Sequence, residues 1–302
     1  MLSRIYKSQI GCLAHPIILR YIILFFTTFT ALVYEITIVR FFAVLFAHHY
    51  IFLAISVAMF GFGIGGLIVS IYNLNDKGLD KILAVYSFTF LIPLLLPNLI
   101  PVLMGHPLIL SLVFIPTFLF ASIIVGIFFK ENIANTNLIY YTDLAGAGSG
   151  SLLGILCLSI FHPTEVFILC SVIVLLLNLI RTRKIIYLFS SLIAIIFLLM
   201  DIHYDLIDIS ISKAPYISES KGLVKLIKET SATVERTYWN SAFRTDIVSY
   251  PNNDQCKAIF VDGGAPSVMF KTDRDLSNLT WLKGTINYLP FIFLPPPNAM
   301  IY

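Results

Sequence analysis

Long apolar stretches, interrupted by few charges, dominate the first two thirds of the chain. Only two charged residues, Glu35 and Arg40, occur between positions 20 and 76. A membrane-spanning helix needs about 20 apolar residues, because the hydrocarbon core is about 30 Å thick and each helical residue rises about 1.5 Å. The pattern therefore predicts two spanning helices here, over 18–46 and 50–72.

The same pattern continues to residue 202. The uncharged stretch 82–129 is long enough for two helices, with a break near Gly105. Three further helices are predicted over 138–161, 163–180 and 185–201, which makes about seven spans in all. The first apolar stretch has no small-residue cleavage site and leads into more membrane-like sequence, so it is interpreted as a retained helix and not a signal peptide.

Charge is distributed unevenly along the 302 residues. Residues 1–202 contain 17 charged side chains, whereas the 100 residues 203–302 contain 20. We therefore predict a mainly α fold: a polytopic transmembrane helix bundle over 1–202, followed by a small β-rich α+β module over 203–302. This composition excludes a fully soluble enzyme, a secreted disulfide scaffold and a disordered chain. The net charge of +3 is too small and scattered to suggest nucleic-acid binding.

Cysteine and histidine spacing predicts no metal site and no catalytic residue. None of the four cysteines forms a C-x-x-C pair, and the six histidines show no H-E-x-x-H or H-x-x-E-H spacing. The cysteines are interpreted as small buried hydrophobic residues.

The basic residues of the membrane part predict an orientation. In a seven-span bundle nine of them fall on one side, and the opposite loops carry none; they are Arg4, Lys7, Arg20, Lys77, Lys81, Lys130, Arg181, Arg183 and Lys184. Basic loops stay in the cytoplasm, so we expect an integral protein of the plasma (inner) membrane with a cytoplasmic N-terminus. Residues 203–302 would then lie outside, and six or eight spans would reverse their side.

Three charged residues, Glu35, Arg40 and Asp143, lie within predicted spans. A charge inside a membrane is costly, so it normally faces the bundle interior or water and has a partner. Glu35 and Arg40 are separated by about 140° around a helix, which disfavours a direct pair between them. They are expected either to line a polar pathway or to form interhelical ion pairs, for instance Arg40 with Asp143.

Glycines recur at four-residue spacing in two of the predicted helices. The stretch 61–66 literally matches G-x-G-x-x-G, but a dinucleotide site needs a preceding strand, and this stretch lies inside an apolar helix. Small residues at this spacing allow two membrane helices to approach closely. We therefore interpret these glycines as helix-packing positions; they are Gly61, Gly65, Gly146, Gly150 and Gly154.

The last third has the pattern of a small mixed module. An amphipathic helix is predicted over 222–229, strand-like residues end the stretch 237–248, and a partner strand covers 257–261. The turn Asp-Gly-Gly-Ala-Pro follows at 262–266. A second helix over 276–289 and the start of a buried strand at the C-terminus complete the prediction.

Several short motifs together resemble the spermidine synthase family. S-x-F-R-x-D-I-V (241–248), I-F-V-D-G-G-A-P (259–266), N-Y-L-P-F and P-P-P-N-A-M-I-Y follow the order of its N-terminal β-domain and of the join to a Rossmann catalytic domain. Leu-Val-Tyr-Glu (32–35), with Arg40 and the stretch 141–147, is similar to the membrane-embedded spermidine synthase-like proteins. The resemblance implies polyamine biosynthesis by aminopropyl transfer, a transferase activity.

Departures from the family limit what the resemblance implies. Arg244, Pro266, Leu282 and Tyr288 stand where the soluble enzymes have their polyamine-site residues. The sequence ends before the glycine-rich loop and the catalytic Asp. We therefore expect a truncated chain with no cofactor of its own, which would use decarboxylated S-adenosylmethionine only with a supplied Rossmann domain or partner chain.

Three functions remain open at this point. In the first, the chain is an enzyme part, and Asp246, Asp262 and Asp273 are substrate-binding carboxylates that balance a cationic amine, although Asp262 could simply form the turn. In the second, the chain transports a small polar or cationic substrate past Glu35 and Asp143. In the third, it is an anchor in the lipid bilayer without its own activity.

Overall fold

A computed structural model describes residues 2–46, 48–99, 106–204, 221–251 and 253–271, with side chains of the first helix described from residue 18. It contains ten α-helices and four strands in these ranges. The helices are α1 Leu2–Leu45, α2 Ile51–Ile71, α3 Leu79–Thr89, α4 Ile92–Leu99, α5 Pro107–Leu112, α6 Ile115–Glu131, α7 Thr136–Leu158, α8 Pro163–Thr182, α9 Ile185–Tyr204 and α10 Gly222–Thr230. The strands are β1 Thr233–Trp239, β2 Arg244–Tyr250, β3 Asn253–Val261 and β4 Ala265–Phe270.

Six segments in the described part of the chain are long and apolar enough to cross a membrane. They are Ile18–Leu45, Ile51–Ile71, Asp76–Leu95, Pro107–Glu131, Pro163–Thr182 and Ile185–Tyr204. Helix α7 is not among them, because Asp143 and its glycines and serines lower its hydropathy. The structure thus agrees with an integral membrane protein and gives six apolar segments where the sequence pattern predicted seven spans.

Helix α7 nevertheless connects the same two ends of the bundle as the other helices. It begins five residues after Glu131, which forms an ion pair with Arg20 near the start of the apolar part of α1. It ends four residues before His162, whose ring lies 5.9 Å from Trp239 of the β module. Within the described ranges α7 therefore runs from the Arg20–Glu131 pair to the His162–Trp239 contact, although it is less apolar than the six segments.

The bundle core is aromatic. The ring of Tyr34 is fully buried and packs within 4.9–6.1 Å, centroid to centroid, of Phe90, Phe114, Phe118 and Phe167. Tyr34, Phe118 and Phe167 belong to α1, α6 and α8, whereas Phe90 directly follows α3 and Phe114 directly precedes α6. The cluster therefore packs four elements together. Edge-on aromatic pairs add about 0.5–1.5 kcal/mol each beyond the area they bury.

Large apolar side chains cover the outside of the bundle. Phe52 and Met59 on α2 are each 72% exposed, and Ile193 on α9 is 66% exposed. A soluble protein rarely exposes such extended apolar surface, whereas lipid tails accommodate it. The outward faces of α2 and α9 are therefore suited to contact with the bilayer.

The C-terminal module is an antiparallel meander, with strand order β1-β2-β3-β4. Alternate residues of the central strands point to one buried face, among them Asp246, Val248, Ala258 and Phe260. Helix α10 occupies its predicted position and buries Leu223 and Val224. Strands β1 and β4 were not expected from the sequence, and the predicted helix 276–289 and terminal strand lie outside the described residues.

Candidate functional site at the junction of bundle and sheet

An ion pair joins the first helix to the β module. The Arg40 guanidinium, near the end of α1, donates from Nη2 to Oδ1 of Asp262 over 3.1 Å and from Nη1 to Oδ2 over 3.5 Å. Both side chains are largely buried, with 13% and 12% of their surface exposed. A bidentate pair fixes orientation as well as distance, because the planar guanidinium matches the carboxylate.

Asp262 is positioned by the turn between β3 and β4. Its φ of 49° and the φ of 66° at Gly263 are both left-handed, a conformation that Asp tolerates better than most residues and glycine adopts freely. Oδ1 of Asp262 also accepts a hydrogen bond from the backbone N–H of Arg244 over 2.8 Å. The Asp-Gly-Gly turn thus aims one carboxylate both at β2 and at α1.

Lys221, the residue directly before α10, also belongs to this junction. Its Nζ donates to the backbone carbonyls of Ala43 and Asp262, each over 2.7 Å, and the residue is only 3% exposed. The Ala43 carbonyl belongs to the last turn of α1, where carbonyls lack intrahelical partners. Burial lowers the pKa of Lys221 to about 8, with Arg40 lowering it further and Asp262 opposing the shift.

A second ion pair lies inside the module. The Arg244 guanidinium donates from Nη2 to Oδ1 of Asp246 over 2.8 Å, and the two side chains are 4% and 0% exposed. Thr237 donates to the same oxygen over 2.7 Å. The Arg244 guanidinium carbon lies 5.3 Å from the centre of the Trp239 ring, within the range of a cation–π contact. Oδ2 of Asp246 is buried and has no hydrogen-bond partner among the described residues.

The two described carboxylates that were expected to balance a cationic amine are therefore already paired with cations of the chain. Asp246 faces Arg244, and Asp262 faces Arg40. Asp273 lies outside the described residues.

The intramembrane charges do not meet in one site. The pair suggested between Arg40 and Asp143 is wrong, since Arg40 contacts Asp262, while the backbone carbonyl of Asp143 accepts a hydrogen bond from Thr28, three turns earlier on α1. Glu35 and Asp143 are each partly buried, and neither carboxylate has an ionic or hydrogen-bond partner within the described ranges.

The glycines of both helices lie at close helix contacts. A Cβ on Gly146 would lie 2.2 Å from Oγ1 of Thr28, and one on Gly150 would lie 2.5 Å from the carbonyl oxygen of Phe29. Gly154 faces Val33 and Ile36 with slightly more room. A Cβ on Gly61 or Gly65 would similarly meet α6; the closest atoms are Cβ of Phe118 and the carbonyl oxygen of Leu119, at 2.7 and 2.5 Å.

Lys221 is the junction residue that sequence reasoning missed. It lies at the boundary of a short amphipathic helix, where a lysine is ordinary, and its two acceptors are backbone carbonyls that leave no trace in a sequence. The pairing of Arg40 was missed because its partner is 222 residues away.

No cluster of three or more His, Cys, Asp or Glu side chains that could hold a metal ion occurs in the part of the chain that the structure describes. The chain matches no protein-family model, no curated protein and no solved structure.

Proposed function

We propose that the chain is the membrane-anchoring part of a spermidine synthase-like protein, in which the helix bundle holds the β module firmly at one membrane face. The observation that carries this proposal is the bidentate pair between Arg40 and Asp262. Arg40 belongs to the membrane-helix motif of the family resemblance, and Asp262 belongs to its β-domain motif. The two side chains meet in one buried contact.

Anchoring, and not aminopropyl transfer, is the activity that we assign to this chain. The carboxylates of Asp246 and Asp262 hold arginines, so a polyamine would have to displace a buried internal cation to use them. Breaking a buried pair leaves an uncompensated charge and costs about 3–5 kcal/mol. The β module can therefore keep its fold without a bound ligand, which suits a domain that the bundle presents as a binding surface.

The side of the membrane on which the β module would lie also supports anchoring. The module contacts the end of the bundle opposite to Arg20, Asp76 and Arg181, the basic end. If the positive-inside rule holds, the module faces away from the cytoplasm. Decarboxylated S-adenosylmethionine is an intracellular metabolite, so this arrangement favours a different ligand for the module.

A double-mutant cycle tests the anchor. Arg40→Gln, Asp262→Asn and the double variant would be reconstituted in lipid nanodiscs, and hydrogen exchange of β2 and β3 would be measured. We expect each single change to speed exchange of these strands by about 10-fold or more, because a hydrogen bond to a charged group contributes about 1.5–3 kcal/mol. The double variant should be scarcely worse than either single one.

Lys225→Gln, which alters an exposed pair on α10, is the matched control and should exchange like the unaltered protein. Wild-type exchange in both single variants would refute the anchor. Spermidine should protect none of these strands; protection by spermidine that Asp262→Asn abolishes would instead assign this carboxylate to polyamine binding.

Transport of a small cation is a second candidate, favoured by the unpaired carboxylates of Glu35 and Asp143. Acidic groups inside a bundle commonly mark a substrate or proton path. Uptake of labelled putrescine into proteoliposomes, lost in Glu35→Gln and Asp143→Asn but kept in the exposed Glu229→Gln, would support it. No uptake above protein-free liposomes would remove this candidate.

A further inference from the structure

The basic end of the bundle carries more positive charge than its carboxylates can balance. All three of these carboxylates are occupied: Asp76 pairs with Arg20 and Arg181, Glu131 with Arg20, and Asp80 with Lys184. Four further cations at this end are exposed and have no ion-pair partner among the described residues. Lys130 donates to the backbone carbonyls of Val69 and Tyr72, whereas the side chains of the other three form no hydrogen bond within the described ranges; they are Lys77, Lys81 and Arg183.

These three cations are held on neighbouring segments. The amide of Asn178 on α8 donates to the backbone carbonyl of Asp80 over 2.9 Å, and Lys184 reaches the Asp80 carboxylate over 3.3 Å. Lys81 follows Asp80 directly, while Arg183 precedes Lys184. Nη2 of Arg181 lies 2.9 Å from Oδ1 of Asp76, and Lys77 follows Asp76 directly, so Lys77 lies beside the same loop. The unbalanced charge is thus gathered between the start of α3 and the α8–α9 loop.

Exposed tyrosines and aliphatic side chains lie toward the same end of the bundle. Tyr72 follows α2 and is 62% exposed, and Tyr141 in the second turn of α7 is 69% exposed. Ile185 and Ile186 in the first turn of α9 are 68% and 63% exposed. Tyrosines with one wet and one apolar end, next to apolar residues that face outward, are typical of a membrane–water interface. The cations therefore lie at the depth of the lipid headgroups.

We propose that Lys77, Lys81 and Arg183 bind the phosphate groups of anionic phospholipids in the leaflet at this end of the bundle. This inference goes beyond the anchoring function and does not depend on it. Free phosphate has the same chemistry, but the surrounding apolar rim favours a phosphate that carries acyl chains. Clustered basic residues beside membrane helices attract anionic lipids with a strength that corresponds to about fivefold in affinity per charge.

Native mass spectrometry of the full chain in neutral detergent tests this proposal. Phosphatidylglycerol and phosphatidylcholine would be titrated against the unaltered protein and against the triple variant Lys77→Gln, Lys81→Gln, Arg183→Gln. We expect tighter binding of phosphatidylglycerol to the unaltered protein, and a loss of affinity on the order of 100-fold in the triple variant. Inorganic phosphate at the same concentration should not compete.

Two controls keep the result interpretable. The triple variant Lys225→Gln, Lys228→Gln, Lys271→Gln removes the same charge from the β module and should bind phosphatidylglycerol normally. The pair Lys77→Arg and Lys81→Arg should retain binding, because the charge is kept. Equal affinity for the two lipids, equal losses in both triple variants, or full competition by inorganic phosphate would each overturn the proposal.

Discussion

Asp262 holds three parts of the protein together. Its carboxylate pairs with Arg40 of α1 and accepts the backbone N–H of Arg244 at the start of β2, and its carbonyl accepts the Lys221 ammonium that precedes α10. We therefore expect substitution of Asp262 to destabilise the protein more than the modest size of its side chain suggests.

Lys221 makes the junction dependent on pH. Its pKa is about 8 in the folded protein, below its ordinary value of 10.5, because burial disfavours the ammonium. Between these two pH values the unfolded chain binds more protons than the folded one, so folded stability rises with pH. We expect the thermal midpoint of the unaltered protein, relative to Lys221→Met, to increase as pH rises from about 8 to 10.5.

The matched control for this titration is Lys225→Met, an exposed change on α10, the helix that directly follows Lys221. Its midpoint should stay at a constant offset from that of the unaltered protein across the same pH range. A Lys221→Met offset that is equally constant would contradict the lowered pKa.

The buried ion pair between Arg244 and Asp246 should contribute more to the stability of the β module than an exposed ion pair does. Asp246→Ala removes the buried carboxylate that pairs with the Arg244 guanidinium, so we expect a loss of about 3–5 kcal/mol in module stability. Glu235→Gln removes the carboxylate that contacts Lys257 on the exposed face of the sheet and should cost far less stability, because solvent screens this pair. Denaturant unfolding followed by hydrogen exchange of β2 would measure both; equal losses would show that burial does not govern these pairs.

At the scale of single residues the sequence identified the chemistry but not the partners. Asp246 and Asp262 were selected because carboxylates bind cations, and both do so in the structure. The cations are arginines of the chain itself, one two residues away and the other on a distant helix. Only the fold brings Arg40 to the Asp-Gly-Gly turn, so no local pattern could reveal this pair.

Two pairs of parallel helices form the closest contacts of the bundle. Successive glycines of α7 face successive turns of α1, and successive small residues of α2 face α6 in the same way. The Ser122 hydroxyl donates to the carbonyl of Phe62 across the second pair over 2.7 Å, a bond that close approach permits. Small-residue spacing is the feature by which these contacts could be recognised in the sequence.

Helix α7 offers a direct test of this packing. A methyl group on Gly146 would lie 2.2 Å from Oγ1 of Thr28 and 2.4 Å from the carbonyl oxygen of Phe25, so Gly146→Ala must move α7 away from α1. We expect a loss of about 1–3 kcal/mol from overpacking. Thermal unfolding in detergent, monitored by helical circular dichroism, is the measurement.

Gly148→Ala is the control on the same helix, since a Cβ there has no neighbour within 4 Å. Alanine is a better helix former than glycine, so this variant should be as stable as the unaltered protein or more stable by up to about 1 kcal/mol. A Gly146→Ala protein that unfolds like Gly148→Ala would contradict the close α1–α7 contact.

Helices were predicted well from the sequence and strands less well, for a physical reason. Apolar length alone located α2, α8 and α9, because the bilayer requires it. Strand β1 was missed, since its exposed edge position leaves a mostly polar sequence, Thr-Val-Glu-Arg-Thr-Tyr-Trp, with no alternating apolar face. Strand β4 was missed because it follows the turn directly and begins with Ala-Pro.

The molecule as a whole has two unlike ends. At one end, salt bridges join Arg20 of α1 and Asp76, just before α3, to the ends of α6 and α8, and cations are in excess. At the other end, Arg40 and Lys221 bind the β module to the last turns of α1. The apolar part of the bundle separates them, so a membrane around that surface would place the two ends in different compartments.

The central claim is that the bundle holds the β module at one membrane face, opposite to the basic end. The side of the membrane on which each end lies tests this claim most directly. Single cysteines would replace Lys77 at the basic end or Ala242 in the β1–β2 turn, both exposed, in a protein whose four native cysteines are changed to serine. A membrane-impermeant maleimide would then be applied to intact and to permeabilised cells. We predict that Ala242→Cys is labelled in intact cells, whereas Lys77→Cys is labelled only after permeabilisation. Labelling of both positions from the same side would contradict the account.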